Sequence, residues 1–221
     1  MLRAAVIAVL VALAGCASDT AVAPEPPEDN RPAACKVTPH YVDNSTKGTE
    51  FNFGGPQLRW HEFPVRVAFD STTVSLVDDH TAWEAGILQG VHAWDVASGG
   101  AIGTISFVAD LATADIVVRL ISFDDDDCLW LNCLGVVSYE ADGRYLQHAY
   151  IFLFPEAVTW TRDKVAQITA HEMGHALGMM FHSTDAADLM YYQALPRPVA
   201  ERYPWITPSD LNTMTILYCT G

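Results

Sequence analysis

The feature that most constrains this chain is the stretch Thr169–Met190, TAHEMGHALGMMFHSTDAADLM. It sets His171, Glu172 and His175 inside a helical pattern in which Val165, Ile168, Ala170, Met173 and Leu177 recur at mixed three- and four-residue steps. An α-helix turns once every ~3.6 residues, so positions four apart share a face. His171 and His175 therefore present two imidazoles to one ion, and Glu172 lies on nearly the same side. Gly178 falls where the helix should stop, as a left-handed C-terminal residue. A third histidine, His182, comes soon after that turn.

Imidazole nitrogen binds zinc well, and three protein ligands leave a fourth position for water. The metal makes that water far more acidic, and a neighbouring carboxylate can take its proton. This is the zinc-hydrolase reading of an HExxH helix, with Glu172 as general base.

At these residues the chain resembles the metzincin zinc metalloproteases, most closely the matrixin-like branch. The extended motif of that group, HExxHxxGxxH, is followed by a Met-turn. The match runs through His171, Glu172, His175 and Gly178 and then departs. The third ligand would fall at Phe181, which cannot bind zinc, and the histidine stands one residue later, at His182. A loop absorbs an added residue more easily than a site loses a ligand, so His182 is the expected third ligand. Asp185 is the competitor. Leu189-Met190-Tyr191 resembles the Met-turn, which implies Met190 as a floor beneath the metal. Tyr192 stands where some branches place a tyrosine near the metal or the developing oxyanion. The fold implied is α+β, a twisted mixed sheet of about five strands with a zinc-site helix, a Met-turn and a C-terminal helix.

The rest of the chain is consistent with an exported domain. Residues 1–15 read as a signal peptide, with Arg3 followed by an apolar run from Ala4 to Ala14. As a helix that run would span about 16 Å, short of the ~30 Å of a bilayer core. Leu13-Ala14-Gly15-Cys16 resembles the bacterial lipobox, which implies lipid on Cys16; Ala17 in place of Asp points to the outer rather than the inner membrane or to the cell surface. An ordinary signal peptide is the alternative. Residues 16–34 are acidic and Pro-rich and read as an extended tether. They leave no room for a folded inhibitory pro-segment. Residues 35–221 form the catalytic domain, expected to be monomeric.

Apart from Cys16, the cysteines are Cys35, Cys128, Cys133 and Cys219. Export makes disulfides the expectation, and three pairings are open; Cys128–Cys133 with Cys35–Cys219 is preferred. Phe63–Phe69, Ile105–Val108, Ile116–Ile121, Gly135–Tyr139 and His148–Phe154 read as strands, the last two joined through Asp142-Gly143. Asp79–Ala97 reads as a helix whose Trp83, Ile87, Val91 and Trp94 form a core stripe. Thr159 or Thr161 caps the zinc-site helix, and Pro208-Ser209-Asp210 opens a last helix reaching Tyr218. Residues 36–60 carry no assignable pattern. His80, His92 and His148 read as surface histidines. Asp124–Asp127 raises calcium as a possibility, but the run lacks the spaced, Gly-containing order of a calcium loop, and a solvated acidic loop is the plainer reading.

A formal charge of −15 argues against nucleic acid as a partner. The function expected is zinc-dependent endopeptidase activity on protein or peptide substrates, from a lipid-anchored position on the cell envelope. The alternatives are a non-catalytic, zinc-stabilised surface lipoprotein and an interaction module.

Overall fold

A computed structural model describes residues 37–38, 41, 58–122, 134–155, 161–192 and 203–219. Its strands are β1 (Val65–Phe69), β2 (Ile105–Phe107), β3 (Ile116–Leu120), β4 (Gly135–Asp142) and β5 (Tyr145–Leu153). Its α-helices are α1 (His80–Ser98), α2 (Arg162–Ala176) and α3 (Pro208–Tyr218). The strands form one five-stranded sheet in the order β2-β1-β3-β5-β4. All neighbours are parallel except β4, which runs antiparallel to β5. The chain is thus α+β with a mixed sheet, a site helix and a C-terminal helix.

β3 lies between β1 and β5, and its nearly unbroken apolar sequence fits a strand covered on both faces. On one face Val67, Ile116, Val118 and Ile151 join the main core with Ile87, Trp94, Val165 and Met173 of α1 and α2. On the other face Ala68, Ala114 and Val117 form a smaller cluster with Tyr150. β5 begins earlier than the His148 expected from its pattern. A bulge between Glu140 and Ala141 resets the register, so Ala141 and Asp142 still pair with Leu146 and Tyr145. Gly143 turns the hairpin at φ 60°.

Two glycines bring α1 unusually close to the site helix. A Cβ on Gly90 would stand 2.4 Å from the Ala166 carbonyl oxygen, and one on Gly86 would stand 2.7 Å from Val165 Cβ. The buried Trp94 Nε1–H then donates to the Ala170 carbonyl at 2.9 Å. The stripe Trp83, Ile87, Val91 and Trp94 is buried along this contact.

The ends of α2 are fixed by side chains. Thr161 caps its start by accepting from Lys164 N at 3.3 Å; Thr159, the other candidate cap, lies outside the described residues. At its end, carbonyls that a helix leaves unpaired find donors from distant parts of the chain. Trp60 Nε1–H donates to Ala176 O at 2.9 Å, and the Tyr218 hydroxyl donates to Leu177 O at 2.7 Å. Leu58 crosses so closely that a Cβ on Gly178 would stand 2.1 Å from its carbonyl oxygen. Gly178 is therefore required twice, by that approach and by its φ of 115°.

Residues 1–34, Cys35, Asp124–Asp127, Cys128 and Cys133 lie outside the described residues. Cys219, the one cysteine among the described residues, is disulfide-bonded. Among the described residues no helix is long and apolar enough to cross a membrane.

Candidate active site

α2 carries His171 and His175 on one face, and the chain beyond Gly178 returns His182 to meet them. One ring nitrogen of each lies within 4.8 Å of the other two. His175 Nε2 and His182 Nε2 are 3.1 Å apart. Two ligands of a tetrahedral zinc at about 2.0–2.1 Å would sit about 3.3 Å apart, so this spacing suits a shared cation.

The other ring nitrogens fix the tautomers. His171 Nδ1 lies 2.7 Å from Leu189 O, and His175 Nδ1 lies 2.5 Å from Met179 O. A carbonyl only accepts, so Nδ1 carries the proton in both rings and Nε2 keeps its lone pair for a metal. Burial, and then the two neighbouring imidazoles, hold His175 well below the usual histidine range, so it is neutral.

The extra residue before His182 is absorbed just after Gly178. Met180 N donates to Gly178 O at 3.0 Å, a three-residue turn that compacts the loop. Phe181 points into the core, where its ring meets Tyr41 edge-on at 5.9 Å. His182 then faces the other imidazoles. Asp185 is exposed and uses Oδ1 to accept from Ala187 N; it is not part of the cluster.

Glu172 is buried beside His171, at 6% exposure. Its carboxylate lies against the first residue of β4. A Cβ on Gly135 would stand 2.8 Å from Glu172 Oε1 and from its Cγ. The edge strand and the candidate base are therefore in direct contact, which only glycine at position 135 permits.

Beneath the cluster, Met190 is fully buried, with its sulfur against Gly174 of α2. Its peptide is pinned from α3. Asp210 Oδ2 accepts from Leu189 N at 2.8 Å, and Oδ1 accepts from Met190 N at 3.2 Å and from the Tyr41 hydroxyl at 2.8 Å. The same carboxylate closes a capping box with Thr207. Asp188 accepts from Ser183 Oγ at 2.5 Å and lies 2.5 Å from Thr207 Oγ1.

Tyr192 is half-buried, with its ring 4.5 Å from that of Tyr191. His80, His92 and His148 are exposed and apart from the cluster; His92 rests against Phe107. Gly135, Asp188 and Asp210 were not singled out by sequence reasoning as parts of the site. Pro208-Ser209-Asp210 reads as a helix start; the Thr-x-x-Asp spacing at Thr207–Asp210 is the signal that could have found the capping box, which is half of what Asp210 does. Nothing in sequence marked the other two.

The residues present fit zinc: three imidazoles, at least two with their tautomers set from behind, and a buried carboxylate next in sequence to a ligand. Together with the mixed sheet, they have the layout of a matrixin-like metzincin domain. The family model described as Matrixin matches residues 61–219, and the chain belongs to that family. A curated relative, the hatching enzyme of Paracentrotus lividus, is 31% identical over 140 residues, covering 58% of this chain and 21% of the relative. The chain thus spans about a fifth of that relative's length.

Proposed function

We propose that the protein is a zinc-dependent endopeptidase in which His171, His175 and His182 hold the metal and Glu172 is the general base. The observation that carries this reading is the commitment of both α2 imidazoles, through Nδ1, to backbone carbonyls, with His175 Nε2 3.1 Å from His182 Nε2 and one ring nitrogen of each of the three histidines within 4.8 Å of the others. When bound, zinc supplies a Lewis acid that polarises a carbonyl and acidifies water. The Glu172 carboxylate takes a proton from the attacking water and returns it to the leaving amine. Among the described residues β4 is the last strand of the sheet, and its outer edge pairs with an extended substrate chain, presenting a peptide bond to Glu172 across Gly135.

The same proposal includes export and lipidation at Cys16, a tether over 16–34, and Cys35–Cys219 and Cys128–Cys133 bridges. These rest on the lipobox-like run and on the cysteine placement.

Metal analysis combined with cleavage of a mixed peptide library tests the enzyme reading. One zinc per chain, cleavage abolished by a chelator and restored by zinc is the expected result. Metal bound without cleavage of any peptide would make the site structural.

A further inference from the structure

The run after Gly178 has to deliver one side chain to the imidazoles of α2, and its burial shows which. Phe181 is 3% exposed and Ser183 is 2% exposed, while His182 between them is half-buried. This in–out–in alternation is the period of two of an extended chain, in which successive side chains point to opposite sides. With 181 and 183 turned inward, His182 faces the other way. There its Nε2 lies 3.1 Å from His175 Nε2, and its ring stacks on that of His171 with centroids 5.4 Å apart.

Each inward residue is held separately. The Phe181 ring lies in the main core against Tyr41, and Tyr41 is itself fixed to α3. Tyr41 N–H donates to Thr213 Oγ1 at 3.1 Å, and its hydroxyl donates to Asp210 Oδ1 at 2.8 Å. On the other side of His182, Ser183 N–H donates to Met190 O at 2.7 Å, and Ser183 forms a parallel bridge with Tyr191. The Ser183 hydroxyl donates to Asp188 Oδ2 and accepts from Asp185 N.

A slip of one residue would reverse every side chain on this run. In one direction His182 would enter the apolar slot of Phe181, where burying a polar ring costs free energy. In the other, Phe181 would face the imidazoles in place of a ligand. The turn from Met180 N–H to Gly178 O takes up the added residue upstream, so the inward slots keep their register.

We propose that Phe181 and Ser183 are positioning residues that clamp this register, so that position 182 alone on the run faces His171 and His175. Neither touches a reacting atom. The clamp deepens the three-histidine metal reading and rests on it for its consequence. A histidine at position 181, the spacing of HExxHxxGxxH, would point into the core and away from the metal.

The test uses the full chain, with cobalt(II) as the probe metal and with metal removed. His182→Ala gives the reference for a site short of one imidazole. Adding Phe181→His to it moves the imidazole one residue earlier; this double variant should bind cobalt no more tightly than His182→Ala and show the same visible absorption bands. Phe181→Ala keeps all three histidines but should weaken cobalt binding by about 10–100-fold, as loss of a support behind a ligand does. Phe181→Leu refills the slot and should restore both affinity and bands. Wild-type bands from the moved histidine would overturn the proposal, because the run would then be free to slip. An unchanged affinity in Phe181→Ala would overturn it also. Hydrogen exchange on the metal-free wild type needs no variant to fold. There the Ser183 amide should exchange about tenfold or more slowly relative to an unstructured peptide. Exchange at the unprotected rate would show that metal, and not the clamp, sets the register, and would overturn the proposal as well. A wild type that binds no cobalt would sink the endopeptidase reading, and the exchange result would still decide this one.

Discussion

Beneath the imidazoles Met190, Asp210 and Thr213 are all 0% exposed, whereas along β4 Val136 and Tyr139 stand 40% and 43% exposed. The floor is cross-linked by side-chain hydrogen bonds to backbone from α3, the Met-turn and Tyr41. Among the described residues the rim has β5 as its neighbour in the sheet and no strand beyond. The contrast follows from what each must do. Metal ligands tolerate little error in distance, so their supports are buried and over-determined. A strand that takes up extended peptides, the role proposed for β4, does so through backbone groups its own sheet leaves unpaired. Glu172 sits at the junction, buried like the floor but in contact with the rim.

Removing the junction itself should have the largest effect. Glu172→Gln should bind zinc normally and lose about 100-fold or more in kcat. A variant within tenfold of wild type would break the assignment of the base. On the floor, Asp210→Ala leaves the Leu189 and Met190 amides without their acceptor. It should cost about 3 kcal/mol in urea unfolding and weaken zinc retention in a chelator competition. An unchanged zinc affinity would show that floor and ligands are independent. Gly135→Ala should press on the Glu172 carboxylate, costing about 1–3 kcal/mol in stability and lowering kcat more than KM. In a Glu172→Ala background the stability cost should vanish, because the atoms it meets are gone. At the rim, N-methylating one amide of a peptide substrate should cost about 1 kcal/mol in kcat/KM where that amide pairs with β4, and nothing where it does not. Equal effects at every position would argue against strand pairing.

The same division decides what could be read from the chain. His171, His175 and the Trp83–Trp94 stripe were legible because helical spacing turns local sequence into a shared face. The Asp142-Gly143 turn was legible for a similarly local reason, the positive φ that glycine permits. His182 was legible as chemistry but not as geometry, since only the compact turn after Gly178 shows how Phe181 and His182 exchange roles. Residues 58–60 gave no pattern because they make an isolated bridge at Arg59 and a strap over α2, neither of which repeats along the chain. Asp188 carries no local signal; its burial depends on contacts such as that with Thr207, nineteen residues on.

The strap also links local motion to global motion. Trp60 and Tyr218 come from opposite parts of the sequence, yet both close the last carbonyls of α2, and Trp60 N donates to the Tyr218 hydroxyl. Fraying at either tail should therefore reach the helix that bears the candidate ligands before it reaches the sheet. In deuterium exchange the amides around Ala176–Gly178 would report detachment of either tail, making proteolytic trimming at a distance equivalent to a loss of order at the metal.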